Sequence, residues 1–226
     1  MNLQATTSKK SSLFERVEQY LPQVTKPGRY VGGEYNQVNK DWHAVRTHVA
    51  LIFPDIYDIG QPNLGLAILY DILNRQDDIC AERAYAPWLD MERILREQQL
   101  PLYGLESKRP LDEFDILAFT LPYEAIYTNV LNILDLAGLP LFSAERDENT
   151  PLVIAGGQAA FNPEPMSAFI DVFVIGEGEE VILEVAQAYQ AWKDSHRSRQ
   201  ELLEALADID GVYVPCLLYT SEAADD

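Results

Sequence analysis

The chain has 226 residues, which is enough for one α/β domain with additional segments or for two small domains. Its 36 Asp and Glu outnumber its 17 Lys and Arg, and the formal net charge of −19 excludes direct nucleic-acid binding through clustered cations. No run approaches roughly 18 apolar residues and the polar N-terminus lacks the apolar stretch of a secretory signal, so we expect a cytoplasmic chain that contacts no membrane.

The two cysteines, Cys80 and Cys216, lie far apart and form neither a CxxC nor a CxxxCxxC motif. They cannot make a zinc site alone, and the lack of a disulfide framework fits a reducing compartment. The sequence also shows no nucleophile paired with an activating base. We therefore predict neither a metal site nor a catalytic residue in this chain.

The first 47 residues form a predicted N-terminal extension. Apolar residues at helical spacing predict one short amphipathic helix over 13–24, which is stopped near Pro22 and Pro27. A polar, glycine-containing stretch follows it, over 27–47.

From residue 48 onward, short apolar runs alternate with segments of helical period. The predicted strands cover 49–53, 79–85, 115–119, 152–155 and 172–175. The predicted helices cover 63–74, a segment that begins with Asp90 as its N-cap, 124–137, and a last segment with Val181, Ile182, Val185, Tyr189 and Trp192 on its apolar side.

Five nearly all-apolar runs, mostly followed by helices, are typical of a parallel sheet that is covered on both faces. Right-handed crossovers then give a doubly wound, flavodoxin-like α/β domain. The predicted division is a helical and irregular extension (1–47), the α/β domain (48–194), a linker (195–215) and a tail (216–226).

The loops that follow the strands are the predicted ligand-binding edge, because open parallel sheets bind ligands beyond the carboxyl ends of their strands. These loops read PDIYDIGQPNLG from Pro54, TLPYE from Thr120, GGQAAFNPEP from Gly156 and GEGEE from Gly176. Glycine lets the backbone adopt positive φ and approach a flat or bulky ligand closely. Gly156 and Gly157 could alone be a tight turn, but glycine-bearing loops on one edge favour a binding site.

A phosphate-binding dinucleotide fold is the main competing interpretation. The first loop has no GxGxxG motif, and the chain has no GxxxxGK(S/T) motif. Glu177, Glu179 and Glu180 stand at the start of the last helix, where they would repel a phosphate or could simply cap the helix. The same acids disfavour a third interpretation, a flavodoxin-like flavin binder.

The segment Asp55–Gly60, DIYDIG, resembles the DxHxxG loop that follows the first strand of cobalamin-binding domains. In those domains the histidine is the lower axial ligand of cobalt. Thr120 and Leu121 resemble loosely, and Gly156 and Gly157 more closely, the segments that line the channel for the cobalamin nucleotide tail. The strings RYVGGEYNQVNKDW, APWLDME, YEAIYTNVLNILDLAGLPL and PLVIAGGQAAFNPEPMSAFIDVFVIGEGEE extend the likeness over roughly residues 27–215. Together they resemble the N-terminal half of cobalamin-binding-domain radical SAM proteins of uncharacterised function.

This resemblance implies a flavodoxin-like domain of the cobalamin-binding type. It implies contact with cobalamin at Asp55, Tyr57, Gly60, Thr120, Leu121, Glu124, Gly156, Gly157, Gly176 and Gly178. Tyr57 replaces the histidine, and a neutral phenol is a poor cobalt ligand, so cobalamin is expected to bind in the His-off form. His43, His48 and His196 are not placed to substitute for it and are expected to be surface or core residues.

In such proteins a radical SAM barrel follows, whose CxxxCxxC motif holds a 4Fe–4S cluster that cleaves S-adenosylmethionine. This chain contains no such motif, so its expected partner is a missing C-terminal barrel of the same chain. The final CLLYTSEAADD resembles translated sequencing-adapter sequence, and we expect residues 216–226 not to be native. The alternative function is a non-catalytic cobalamin-binding or vestigial interaction module.

Overall fold

A computed structural model describes residues 12–195 and 197–217. Its centre is a six-stranded sheet with the order β2-β1-β3-β4-β5-β6. The strands are β1 Thr47–Phe53, β2 Ile79–Tyr85, β3 Ile116–Thr120, β4 Leu152–Gly156, β5 Val172–Val174 and β6 Val212–Tyr213. The first five are parallel, and β6 is antiparallel to β5.

The order of the five parallel strands is that of flavodoxin-like doubly wound domains, so the fold prediction is confirmed. Every residue of β1 and β2 is buried, which is why neither strand shows the alternating apolar and polar pattern of a half-exposed sheet. The chain reverses its direction of strand addition between β1 and β3, and this places a topological switch point at their carboxyl ends.

Helices cover both faces of the sheet. Their bounds are α1 Leu13–Glu18, α2 Tyr57–Gly60, α3 Leu64–Asn74, α4 Leu89–Glu97, α5 Tyr127–Leu136, α6 Gly178–Ser195 and α7 Arg199–Ala207. The helices α3, α6 and α7 share one hydrophobic core with the sheet, and α1, α4 and α5 share the other. None of the helices within the described ranges is long and apolar enough to cross a bilayer.

Two helix starts differ from the sequence prediction for local reasons. The helix expected from 124 begins with a 3₁₀ turn, and regular α5 starts only at Tyr127. Asp90 is not an N-cap, because α4 starts one residue earlier at Leu89. The Asp90 carboxylate instead accepts hydrogen bonds from the backbone nitrogen and the hydroxyl of Thr25, at 2.7 and 2.8 Å. The Asp90 carboxylate therefore binds the N-terminal extension, whereas the sequence pattern predicted that it would cap the helix.

The segment predicted as a linker, 195–215, is folded where the structure describes it. It contains α7 and the edge strand β6, and Leu202 and Leu206 of α7 are buried in the core. Its role as a connection to a further domain stays a prediction. The tail predicted to be non-native lies outside the described residues from position 218 onward.

A buried ion trio ties α7 to the sheet. The Asp171 carboxylate forms ion pairs with the guanidinium groups of Arg146, at 3.1 Å, and Arg199, at 2.8 Å. All three residues are buried. The same carboxylate accepts the backbone N–H of Val153 at 2.8 Å, while the two guanidinium groups also donate to backbone carbonyls such as those of Phe169 and Pro151. Burial lowers the pKa of Arg146 despite Asp171. The trio is therefore a structural network held in a low-dielectric setting.

The outer edge of β2 is covered by side chains and a loop. Asn74 both donates to and accepts from the backbone of Ala81, at 3.0 and 3.1 Å. The backbone N–H of Arg83 donates to the Glu106 carboxylate at 2.7 Å. The backbone carbonyl of Arg83 accepts the N–H of Leu105 at 2.7 Å. These groups satisfy strand positions that would otherwise face solvent unpaired.

Asp115 gives the fold a defined acid sensitivity. Burial would raise its pKa, but hydrogen bonds from His48 and Lys193 outweigh that effect and hold the pKa below its ordinary value of 3.8. The unfolded chain therefore takes up this proton first as the pH falls, so stability decreases as the pH drops below 3.8 towards the folded-state pKa. Asp115→Asn should flatten this part of a urea-denaturation pH profile. Asp71→Asn, in an exposed pair, should leave it unchanged, and equal profiles for both variants would contradict the assignment.

Candidate cofactor cleft

A cleft of about 330 Å³ opens at the carboxyl ends of β1, β3, β4 and β5. The helices α3 and α6 form its sides. Its lining residues are Leu51, Gly65, Leu69, Ala118, Phe119, Thr120, Ile154, Ala155, Gly156, Gly157, Phe161, Val174, Gly176, Glu177, Gly178, Glu179 and Ile182. The cleft is apolar except for Thr120, the two glutamates and exposed backbone, which suits a flat organic ligand.

Glycines keep this cleft open. For two of them, Gly156 and Gly178, neither the backbone conformation nor close packing requires a glycine. Gly157 and Gly176 have positive φ, of 105° and 111°, which a side chain rarely tolerates. Gly156 and Gly178 have no such φ, and a Cβ there would come no closer than 3.6 and 3.8 Å to another atom. The fold would accept a methyl group at both positions, so their effect is to leave space in the cleft.

Hydrogen bonds between neighbouring loops hold the edge of the cleft in place. The Tyr123 hydroxyl donates to Asp55 at 3.1 Å and joins the loop after β1 to the loop after β3. Leu121 donates its N–H to the Gly156 carbonyl at 2.7 Å and accepts the N–H of Ala159 at 2.9 Å. Leu121 itself is buried, so its side chain belongs to the core. Asp55 and Leu121 thus support the site without lining it.

Tyr57 is turned towards the N-terminal extension. Its hydroxyl donates to Glu34 at 2.6 Å, and its ring packs edge-on against Tyr85 with centroids 5.4 Å apart. Burial, followed by the nearby Glu34 carboxylate, raises the pKa of Tyr57 to about 12. The phenol is therefore neutral, engaged by Glu34 and absent from the cleft lining.

Gly60 and Glu124 also lie outside the cleft. A Cβ at Gly60 would stand 2.7 Å from the Tyr85 ring and 2.9 Å from Cβ of Phe53, so this glycine serves close packing. Glu124 is exposed at the start of the 3₁₀ turn before α5. The structure thus gathers five of the ten predicted residues in the cleft: Thr120, Gly156, Gly157, Gly176 and Gly178.

Comparison with known proteins places this architecture in a family. A family model described as radical SAM proteins, N-terminal, matches residues 65–215, which is 151 of the 226 residues. This chain belongs to that radical SAM N-terminal family. An uncharacterized protein of Methanocaldococcus jannaschii is 26% identical over 141 residues, which cover 61% of this chain. The chain spans about a quarter (26%) of that relative's length. The search of solved structures gave no significant match.

The family match coincides with the cleft of this radical SAM N-terminal domain. Every lining residue except Leu51 falls within 65–215. The loop that carries Asp55, Tyr57 and Gly60 lies before the matched region. The matched region therefore includes the glycine-lined cleft and begins after the segment Asp55–Gly60.

Sequence reasoning missed several lining residues of this domain. Leu51, Leu69 and Ile182 could have been found, because right-handed crossovers put α3 and α6 on the same face of the sheet. Gly65 and Phe161 lie within the loop segments PDIYDIGQPNLG and GGQAAFNPEP but were not predicted as contact residues. The contact between Glu34 and Tyr57 had no signal in the sequence, since neither residue belongs to a periodic pattern that relates them.

Exposed large apolar residues lie at the same edge of the sheet as the cleft of the radical SAM N-terminal domain. They follow the first four strands and define an apolar rim of Ile59, Leu64, Trp88, Leu89, Tyr123 and Phe161. Leu64, Leu89 and Phe161 are 71%, 72% and 67% exposed. Single exposed apolar residues are ordinary, but six at one edge of a sheet are typical of a surface that a ligand or another protein part covers.

Proposed function

We propose that this domain is the cobalamin-binding portion of a radical SAM enzyme. The observation that carries the proposal is the glycine-lined cleft at the switch point of a radical SAM N-terminal domain. In this fold class the carboxyl ends of the strands are where flat cofactors bind. In the intact protein, S-adenosylmethionine and a 4Fe–4S cluster would act on a substrate that this part of the chain does not identify.

The cleft and its rim fit cobalamin in shape and polarity. The apolar rim offers a surface for the flat corrin, and the cleft behind it admits a ring-sized group such as the nucleotide tail. Thr120 supplies a hydroxyl, and Gly156, Gly157, Gly176 and Gly178 supply closely approachable backbone. These five residues are the ones we propose to hold the cofactor.

Tyr57, which stands where a histidine ligand to cobalt would be expected, does not fit that role. The Tyr57 hydroxyl donates to Glu34, and with a pKa of about 12 it does not ionise near neutral pH. A neutral phenol is a poor ligand for a cobalt centre that favours imidazole. We therefore propose binding without a protein ligand to cobalt. Cobalamin when bound supplies organocobalt chemistry, and this domain binds and orients it towards the rest of the protein.

Titration with hydroxocobalamin tests the proposal. The 226-residue chain should change the visible spectrum of the cofactor and co-elute with it in gel filtration. The matched control is the same titration of the Gly156→Val variant, in which a side chain fills part of the cleft. No spectral change and no co-elution at high micromolar cobalamin would contradict the proposal.

Tyr57→Phe separates the two roles available to this tyrosine. Because the hydroxyl contacts Glu34 and not the cleft, cobalamin affinity should stay within about threefold of the wild type. The free energy of unfolding should fall by about 1 kcal/mol, since a hydrogen bond to a partly buried carboxylate is lost. Parallel titration and urea denaturation measure both values. A large loss of affinity at unchanged stability would place the phenol at the cofactor.

The hydrogen bond from Tyr57 to Glu34 also favours a second candidate function, that of a non-catalytic or vestigial interaction module. In that case the fold and its apolar rim would persist for contact with another protein part after loss of the axial ligand. The distinguishing result is a folded chain that gives no response to cobalamin in either measurement.

A further inference from the structure

No positive charge comes from the parts of the chain that build the cleft. All lining residues belong to three stretches, 49–74, 110–145 and 147–192. None of these stretches contains a Lys, Arg or His. Two carboxylates, Glu177 and Glu179, are among the lining residues. A ligand that enters the cleft therefore meets negative charge without a compensating cation from these segments.

The helix terminus beside the cleft is also acidic. In related α/β folds, the N-terminus of a helix next to the sheet edge commonly binds phosphate through free N–H groups and the helix dipole. Here α6 is an 18-residue helix whose first turn carries Glu179 and Glu180. These side chains already complement the positive end of the dipole, so they oppose a second anion at this place.

We propose that Glu177 and Glu179 determine ligand specificity as a charge filter. They admit neutral or cationic ring compounds to the cleft and exclude phosphomonoesters such as flavin mononucleotide or AMP. A phosphomonoester carries between one and two negative charges near pH 7, whereas the single phosphodiester charge of cobalamin is offset by its cationic cobalt–corrin centre. The inference deepens the proposed function and rests on it for the cleft being a cofactor site.

The test uses pairs of probes that share one ring and differ by one phosphate. Riboflavin and flavin mononucleotide are titrated against the 226-residue chain by fluorescence, and adenosine and AMP by calorimetry. At low salt, each neutral compound should bind about tenfold more tightly than its phosphorylated partner, the effect expected of two nearby like charges in a partly aqueous setting. Added salt should reduce this ratio.

Replacing the filter by neutral isosteres should remove the discrimination. In the double variant Glu177→Gln/Glu179→Gln, affinity for flavin mononucleotide and AMP should rise until the ratio is within about twofold of one, while riboflavin and adenosine stay unchanged. Glu184→Gln/Asp194→Asn is the matched control, because it removes two charges from exposed positions of the same helix that lie outside both the cleft lining and the first helical turn. This control should keep the tenfold ratio.

A parallel hydroxocobalamin titration separates failure of the filter from failure of the proposed function. Equal binding of neutral and phosphorylated probes, or a ratio unchanged by Glu177→Gln/Glu179→Gln, would overturn the filter even where cobalamin binds. Charge discrimination without cobalamin binding would support the filter and overturn the proposed cofactor. Absence of binding by every ring compound would overturn both.

Discussion

Replacing Gly156 by Val should weaken hydroxocobalamin binding by at least about 100-fold while the domain stays folded. Gly156 ends β4 at the cleft, and its ideal Cβ would stand 3.6 Å from Val174, another lining residue. The added carbons would occupy space that the ligand needs, whereas a β-branched residue suits the strand backbone. Visible titration measures the affinity, and circular dichroism with urea denaturation reports the fold.

Two further variants make this result interpretable. Gly156→Ala adds only the Cβ and should give an intermediate loss of affinity, so the comparison survives if the Val variant folds poorly. Gly28→Val is the matched control, because a Cβ there meets nothing within 4 Å and the residue is remote from the cleft lining. Wild-type affinity in a folded Gly156→Val protein would mean that cobalamin does not use this cleft.

Asp171→Asn should be the most destabilising of the single substitutions considered. It removes the charge that compensates Arg146 and Arg199, both of which are buried. Breaking a buried ion network from one side typically costs about 3–5 kcal/mol, because the remaining charges stay desolvated. Urea denaturation monitored by circular dichroism measures the change in the free energy of unfolding.

Asp71→Asn is the matched substitution in an exposed pair. Asp71 contacts Arg75 at 2.7 Å, but the two side chains are 58% and 75% exposed. Such pairs contribute about 0–1 kcal/mol, so this variant should remain close to the wild type. If Asp171→Asn also cost less than about 1 kcal/mol, water would have to reach the trio and the buried-charge argument would be wrong.

The fold could be predicted because its main determinants are periodic and local. All five parallel strands were expected from apolar runs; β2 has the predicted bounds, and the ends of the other four differ from the prediction by one or two residues. Asn63 caps α3 through a hydrogen bond to the Leu66 N–H at 2.9 Å, at the place where the pattern begins. The role of Asp90 could not be predicted from the sequence, because its carboxylate accepts hydrogen bonds from Thr25 of the distant extension.

The candidate site was only partly predictable, since one residue type served two purposes. Glycine at position 156 leaves a cleft open, whereas glycine at position 60 lets Tyr85 and Phe53 pack closely. In the sequence both positions follow a predicted strand, so the sequence does not distinguish them, whereas in the structure Gly156 ends β4 and Gly60 ends α2. Tyr57 was placed correctly in the loop after β1, but its partner Glu34 became visible only through tertiary contact.

The covered edge of β2 has a consequence for how the molecule behaves in concentrated solution. Sheet proteins tend to self-associate when unpaired strand backbone of one copy meets that of another. At β2 the outward groups of Ala81 and Arg83 are already taken by Asn74, Leu105 and Glu106. Copies of this chain therefore cannot join through β2 into continuous sheets without first breaking those bonds. Fibre growth by strand addition at β2 is therefore disfavoured.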